Sequence, residues 1–100
     1  FLLCPTAAST AFPHDHAGER PERTIQVNGV RQPTTDQLFW AGLSTLVNLP
    51  STMAPVGLAA DGLPCGLQVV GAQMQDRACI GFAKLVGEVT GGFAPPPGYA

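Results

Sequence analysis

The clearest pattern of apolar positions lies between Gly62 and Gly71, where Gln68 is the only polar side chain. Leu67, Val69 and Val70 favour β-structure, and glycine and proline bound the run. Little of either face is suited to contact with water. The pattern therefore predicts a buried strand that needs cover on both of its faces.

Two further stretches have the composition of strands. Met53–Leu58 is connected to the buried strand by the turn residues Ala60–Gly62, so we expect the two strands to pair as a hairpin. Phe1–Pro5 is an apolar run, which predicts a strand in the centre of a sheet. Because it begins without methionine and without a polar lead-in, we expect residue 1 to be an internal point of a longer protein.

A polar connection over residues 6–22 follows the first strand and contains both histidines. After it, Ile25–Val30 alternates between apolar and polar residues and leads into Asn28 and Gly29. Asn-Gly is the dipeptide that best supplies the two positive φ angles of a type I′ turn. This segment therefore predicts a small surface hairpin.

A first helix is predicted from residue 34 onward. Thr34 and Gln37 have the spacing of a capping box, in which each side chain satisfies a free backbone group at the helix start. Pro50 ends the helix. Apolar residues occur nearly all round it, which predicts a buried helix and not a surface helix. They are Leu38, Phe39, Trp40, Ala41, Leu43, Leu46 and Val47.

A second helix is predicted to begin with Asp76 as its cap and to end at Gly91 and Gly92. Its apolar residues recur at helical spacing on one side, which is typical of an amphipathic covering helix. They are Cys79, Phe82, Ala83, Val86 and either Val89 or Thr90. The tail 93–100 holds three consecutive prolines and is expected to form no regular element.

Composition narrows the picture further. The chain of 100 residues is one domain or less, and 45% hydrophobic against 12% charged residues is apolar for a free-standing domain. The net charge of −2 offers no basic surface for nucleic acid or for an anionic membrane. No apolar run approaches the roughly 20 residues of a membrane span, and the first residues lack the basic start of a signal peptide. We therefore expect a cytoplasmic protein with no nucleic-acid and no membrane partner.

Candidate chemistry within the chain is sparse. The three cysteines are far apart and lie in apolar runs, so we expect reduced, mostly buried thiols and neither a metal site nor a nucleophile. His14-Asp15-His16 is the one cluster suggestive of a metal or an acid–base pair, but no distant ligand set completes it. A polar loop is the preferred interpretation.

The serines and the single lysine give no stronger indication. Ser9, Ser44 and Ser51 are not in a Gly-x-Ser-x-Gly elbow and have no histidine nearby in sequence. Lys84 lies in the predicted covering helix, where an exposed solubilising role suits it better than a catalytic one. The residues alone therefore indicate no catalytic centre and no metal or cofactor site in this chain.

A family resemblance adds what the residues alone do not give. Gly62-Leu63-Pro64-Cys65-Gly66-Leu67-Gln68 resembles the Gly-Leu-Pro-Val-Gly-Val-Gln motif of the amidase signature family of serine amide hydrolases, with cysteine where valine is commoner. Other blocks are similar to the C-terminal part of that family in order and approximate spacing. They are Cys4-Pro5-Thr6, Ala11 to Asp15, Val27-Asn28-Gly29, Asp36-Gln37 to Trp40-Ala41-Gly42, Asn48-Leu49-Pro50, Ala54 to Gly57, Val70-Gly71 and Asp76.

The resemblance implies an α/β fold in which residues 1–100 are the C-terminal portion of an amidase signature domain, incomplete at the N-terminus. The full domain is an α/β/α sandwich with a mixed sheet. Its activity is amide hydrolysis through a serine acyl-enzyme, assisted by a second serine and a lysine. Those residues match nothing in this chain, so the isolated chain is expected to be inactive, with the remainder of the fold as its partner.

The resemblance also implies a substrate-facing helix. In relatives the early part of the first helix faces the substrate, which carries over to Leu38 and Gly42 on one face and, more weakly, to Trp40. Without the resemblance, Trp40 is expected to be a core residue. The substrate is a small-molecule amide, no cofactor is required, and a homo-oligomer is left open.

Alternatives of other classes remain at this point. The A subunits of glutamyl-tRNA amidotransferases resemble the chain too, but they usually have a glycine at the position of Asn48 and an acidic residue at the position of Leu38. Both differences favour a general amidase, and an apolar Leu38 suits an uncharged acyl group because a buried unpaired carboxylate costs several kcal/mol. A non-enzymatic module that docks by sheet addition at Phe1–Cys4 is the other alternative.

Overall fold

A computed structural model describes residues 1–99 of the chain, which form two sheets and two α-helices. In chain order the elements are β1 (Leu2–Pro5), a 3₁₀ helix (Arg20–Glu22), β2 (Thr24–Val27), β3 (Val30–Pro33), a 3₁₀ helix (Thr34–Gln37), α1 (Leu38–Thr45), β4 (Ser51–Leu58), β5 (Pro64–Val70) and α2 (Asp76–Thr90).

The main sheet has the order β1-β5-β4, and both of its strand pairs are antiparallel. The central strand β5 lies inside the predicted stretch 62–71, and its residues 68–70 are buried. The expected hairpin of β4 and β5 is confirmed. Helices and strands together are compatible with an α/β class, with antiparallel strand pairs throughout the described residues.

The prediction that the first strand is central is wrong for the described residues. β1 pairs only with β5 and therefore forms an edge of the sheet. Its apolar residues differ in burial, since Cys4 is buried while Leu2 and Leu3 are about half exposed. Apolar composition indicates that a strand packs against other parts of the protein, but it does not indicate how many neighbouring strands are present.

The register of β5 assigns the two faces of the sheet. Gln68 is paired with Cys4 and Met53, so these three side chains share one face. Val69 points to the opposite face, where α2 packs against β4 and β5. Helix α1 contacts the Gln68 face, because the Gln68 side chain donates a hydrogen bond to the carbonyl of Trp40 in that helix. The two helices therefore lie on opposite faces of the sheet.

Helix α2 has the predicted amphipathic character. Cys79 is fully buried on its sheet side, and the ring of Phe82 packs against the ring of Phe1 at 4.8 Å between centroids. Asp76 is the first residue of the helix and not its cap, since Gln75 occupies the N-cap position without a side-chain capping bond. The predicted end is confirmed, because Gly91 adopts a left-handed conformation with φ of 90°.

The hairpin of β2 and β3 confirms the Asn-Gly turn. Asn28 and Gly29 have φ angles of 51° and 77°, the two positive values that a type I′ turn requires. Residues 91–99 contain no helix or strand, as predicted for the proline-rich tail. Ala100, the last residue of that predicted tail, lies outside the described residues.

The prediction of a long buried helix after Thr34 is wrong. Thr34–Gln37 is a 3₁₀ helix without a side-chain cap, and α1 is a helix of eight residues in which only Ser44 is buried. Phe39 and Leu46 are 62% and 85% exposed. The apolar residues surround the helix, but the sheet of this chain covers only one of its sides.

Neither α-helix among residues 1–99 has the length and apolar character needed to cross a membrane.

Close packing of α2 against the sheet gives a first testable prediction. Gly71 is buried, and a Cβ added there would overlap the Cys79 sulfur, whereas a Cβ at Gly81 of α2 would meet open space. We expect Gly71→Ala to lower the free energy of unfolding by about 1–3 kcal/mol. Gly81→Ala should raise it by about 0.5–1 kcal/mol, because alanine favours the helix. Urea unfolding of both variants checks this, and equal effects would contradict the packing.

Candidate functional site

The three predicted substrate-facing residues lie on different sides of α1. Leu38 and Gly42 are four residues apart and share one side of the helix, while Trp40 lies on the opposite side. The carbonyl of Trp40 and the hydroxyl of Ser44 both contact the sheet, so the side with Leu38 and Gly42 faces away from it. Leu38 is 54% exposed, and a Cβ added at Gly42 would meet no atom within 4 Å.

The structure brings Leu38 and Gly42 together on one open surface and separates Trp40 from them. The Trp40 side chain is half-buried, and its ring packs edge-on against Phe39 at 5.0 Å between centroids. Its position fits a role in supporting the helix. The open surface carries no charged side chain from α1, since the sequence of the helix is Leu-Phe-Trp-Ala-Gly-Leu-Ser-Thr.

Helix α1 is attached to the sheet by two polar contacts. Gln68 Nε2 donates to the Trp40 carbonyl at 3.1 Å, and the hydroxyl oxygens of Ser44 and Ser51 lie 3.2 Å apart. Ser44 is buried, so this hydroxyl pair satisfies a group that water does not reach. No local pattern indicates the serine pair, because its partners are seven residues apart in different elements.

The loop that follows β1 is tied to the start of α1. Gln37 Oε1 accepts a hydrogen bond from the Ala8 amide at 2.8 Å, and Gln37 Nε2 donates to the Ser9 hydroxyl at 3.3 Å. The side chain predicted to close a capping box holds this loop instead. Such a contact spans about thirty positions of sequence and does not follow from a local pattern.

The same loop is tied to the turn between β4 and β5. Thr10 donates a hydrogen bond from its hydroxyl to Asp61 Oδ2 at 2.8 Å, and the Leu63 amide donates to Asp61 Oδ1 at 3.0 Å. The Leu63 amide, followed by the Thr10 hydroxyl, lowers the pKa of Asp61 below its ordinary value. The carboxylate form of Asp61 therefore stabilises both the turn and the loop.

Three open cavities lie around these elements. One of about 490 Å³ is found where α1 ends and α2 begins, and its lining includes Ser44, Ser51 and Asp76. Two of about 430 Å³ are formed by the loop after β1, one against β2 and one against the start of β5. The surface of Leu38 and Gly42 is separate from these three cavities.

The other candidate groups are not brought into a reactive arrangement. The rings of His14 and His16 lie 5.8 Å apart, and Asp15 accepts a hydrogen bond from the Ala17 amide as in a simple turn. Within residues 1–99 no three metal-ligating side chains come together. Lys84 is 78% exposed, with its amine 4.0 Å from Glu88 one turn along α2.

The cysteines are free and separate. Cys4 and Cys79 are buried, and Cys65 is partly exposed on β5. Cys79 Sγ donates a weak hydrogen bond to the Pro50 carbonyl at 3.7 Å. These contacts are those of packed thiols.

Comparison with known proteins decides the family. The sequence profile described as Amidase matches residues 1–80, which include β1, α1 and the β4–β5 hairpin. The chain belongs to the amidase signature family. The resemblance inferred from the Gly62–Gln68 motif and the neighbouring blocks is thereby confirmed.

Two kinds of amidase-family relatives are represented. The chain is 37% identical over 84 residues to the A subunit of a glutamyl-tRNA(Gln) amidotransferase from Treponema pallidum, covering 84% of this chain and 15% of that relative. It is 37% identical over 57 residues to fatty-acid amide hydrolase 2-A of Danio rerio, covering 57% of this chain and 11% of the relative. It is 33% identical over 90 residues to a fatty acid amide hydrolase of Arabidopsis thaliana, covering 88% and 14%.

The chain thus spans only a small part of the length of the curated relatives it matches. The part that it spans includes Leu38 and Gly42, which share the open side of α1.

The Asp61 contacts generate a prediction about pH. Since the folded-state pKa of Asp61 is lowered, its contribution is present above the ordinary value of about 4 and is lost as pH falls through the lower folded value. Asp61→Ala should therefore speed hydrogen exchange in the loop 6–12 at pH 6. The ratio of its rate to that of the wild type should begin to fall below about pH 4 and should approach one only when pH is below the lowered folded pKa.

Glu88→Ala is the matched control, because Glu88 is an exposed carboxylate on α2, which has no described hydrogen bond to the loop 6–12. It should leave exchange in the loop 6–12 unchanged at every pH. An Asp61→Ala ratio that stays constant from pH 6 down to pH values at which the wild-type carboxyl is protonated would show that the carboxylate charge does not hold the loop.

Proposed function

We propose that this chain is the C-terminal portion of an amidase that hydrolyses carbon–nitrogen amide bonds through a serine acyl-enzyme. The observation that carries the proposal is the family match over residues 1–80. The nucleophilic serine and its lysine partner lie in the remainder of the protein, and the isolated chain is inactive. The three free cysteines fit a cytoplasmic location, where thiols are kept reduced.

The exposed surface of the chain supports the remainder of the fold as its partner. The chain exposes 7358 Å², whereas a compact monomer of this length exposes roughly 5,400 Å². The radius of gyration is 15.2 Å, compared with roughly 13 Å for a compact domain of 100 residues. This extra surface includes the edge strand β1 and the outer side of α1, which the rest of an α/β/α sandwich with a mixed sheet would cover.

The outer side of α1 is the part of this chain that we assign to the acyl pocket. Leu38 contributes an apolar side chain there, and Gly42 leaves room for a ligand to approach the helix. An apolar wall suits an uncharged acyl group, because a substrate carboxylate would lose hydration there without gaining a partner. Trp40 supports the helix from the other side.

A second candidate is the A subunit of a glutamyl-tRNA amidotransferase, favoured by the 37% identity to the Treponema pallidum protein of that name. Asn48 is compatible with this candidate. It has φ of 53°, a left-handed conformation that glycine and asparagine both adopt readily, so either residue fits the same backbone. Leu38, where these proteins usually carry an acidic residue, remains the argument for a general amidase.

The proposed function is tested on the full-length protein that carries this chain. We expect it to release ammonia from hexanamide and benzamide when no other protein is present. Labelling with a fluorophosphonate probe should modify a serine outside residues 1–100 and block this release. Activity that appears only with glutamyl-tRNA and a partner complex would favour the second candidate. Labelling of Ser44 or Ser51 would overturn the assignment of catalysis to the remainder of the protein.

Leu38→Asp tests the acyl-pocket assignment. In the full-length protein we expect kcat/KM for hexanamide to fall about tenfold or more, because a carboxylate on the pocket wall must be desolvated when an apolar chain binds. Turnover of acetamide, which does not reach along the wall, should change much less. Steady-state kinetics with the two amides measures this difference.

Leu85→Asp is the control, since Leu85 is 56% exposed, about as much as Leu38, and lies on α2, on the opposite face of the sheet from α1. It should leave the preference for hexanamide over acetamide unchanged. If Leu38→Asp also leaves that preference unchanged, Leu38 does not line the pocket.

A further inference from the structure

Gln68 is an unusual residue to find in the middle of the central strand. It is 1% exposed, and its neighbours on β5 are apolar. Its amide nitrogen Nε2 donates to the Trp40 carbonyl at 3.1 Å and to Cys4 Sγ at 3.3 Å. A single amide therefore joins three segments that are distant in sequence, namely β1, β5 and α1.

The orientation of this amide is determined by its partners. The Trp40 carbonyl can only accept a hydrogen bond, so Nε2 must face it and Oε1 must point elsewhere. Oε1 is buried and has no hydrogen-bond partner among the described residues. The amide nitrogen of Gln68 therefore has two hydrogen-bond acceptors, whereas its amide oxygen has no donor among the described residues.

This arrangement contributes little to net stability. A hydrogen bond to a backbone carbonyl contributes modestly to the net free energy of folding, while a buried acceptor without a partner costs a similar amount or more. A methionine would have nearly the same length and would have no oxygen to leave unpaired. Stability therefore does not explain why an amide stands at this position.

The attachment of α1 gives a better explanation. Leu38, Phe39 and Leu46 are all more than half exposed, so apolar burial in this chain does little to fix the helix on the sheet. The Gln68 contact holds the first half of α1, and the Ser44–Ser51 contact holds the second half. Gln37 ties the start of α1 to the loop after β1 but not to the sheet, so without the Gln68 contact the first turn loses its attachment to the sheet and can rotate about the helix axis.

Such a rotation would move the proposed pocket wall. Trp40 lies between Leu38 and Gly42 in the chain, so its carbonyl is fixed to the same turn that presents them. Side chains extend about 5 Å from a helix axis, and a rotation of about 20° would displace a side-chain tip by roughly 2 Å. Displacements of about 1 Å already affect how a substrate is held for reaction.

We propose that Gln68 is a positioning residue that sets the rotation of α1 through the Trp40 carbonyl and so orients the Leu38 and Gly42 surface toward the substrate. The effect on the substrate rests on the proposed amidase function. The effect on the helix does not, and it can be measured separately.

Gln68→Met in the full-length protein tests the proposal, with Gln26→Met as the matched control, because Gln26 is an exposed glutamine on β2. Hydrogen exchange in the peptide 38–45 should become roughly five- to tenfold faster in Gln68→Met, the factor expected from losing one hydrogen bond. Exchange in α2 and the urea midpoint should change little. Gln26→Met should alter none of these quantities.

Steady-state kinetics with hexanamide then reports the consequence for the substrate. KM should rise by roughly five- to tenfold in Gln68→Met, while kcat changes less, because binding to the wall is affected and the catalytic groups are not. Gln68→Asn keeps the amide but is one methylene too short to reach Trp40. It should reproduce the change in α1 exchange and in KM.

Two results would overturn the proposal. One is unchanged exchange in the peptide 38–45 in both Gln68 variants. The other is a Gln68→Met protein that unfolds, or whose exchange rises equally in α1 and α2, because Gln68 would then be a stability residue. If the wild type hydrolyses no amide, the proposed function fails, and exchange in α1 still decides whether Gln68 positions the helix.

Discussion

The pairing of β5 on both of its edges is the constraint on which the rest of the structure depends. Because β1 and β4 bind it from either side, the alternation of its side chains is fixed with respect to both neighbours. Gln68 is thereby directed to one face and Val69 to the other. A shift of one residue in this register would present Val69 to α1 and Gln68 to the apolar side of α2.

The two faces of the main sheet are covered by helices that are held in different ways. On the Val69 face, α2 approaches closely enough that Gly71 is needed beneath Cys79, and the contact is apolar. On the Gln68 face, α1 is held by hydrogen bonds and turns its apolar residues outward. The Val69 face is therefore a well-packed apolar core. On the Gln68 face, apolar residues of α1 stay uncovered by the described residues.

Features with a local cause are predictable from the sequence. The Asn28-Gly29 turn, the Gly91 helix end and the buried strand around Val69 each follow from a few adjacent residues, and all are observed. The predicted burial of α1 is wrong, because burial depends on which partners are present and not on apolar content alone. The Leu38 and Gly42 assignment comes from the family resemblance, and the helix period explains why they share a side.

Contacts between distant positions do not follow from local patterns. The spacing of Gln37 from Thr34 fits a helix cap, but the loop after β1 offers the Gln37 amide two partners instead. A single polar side chain in an apolar strand is a usable signal that Gln68 has a special role, yet its partner Trp40 is 28 positions away.

The close approach of α2 to the sheet has a consequence for how this sequence can vary. Positions 71 and 79 occupy one shared space, so a side chain can be gained at 71 only if volume is lost at 79. Among proteins with this helix–sheet spacing, the two positions should covary in size, with small residues retained at 71 wherever cysteine or a larger residue stands at 79. The combined size of the residues at positions 71 and 79 therefore reflects the distance between α2 and the sheet, which cannot be inferred from either residue alone.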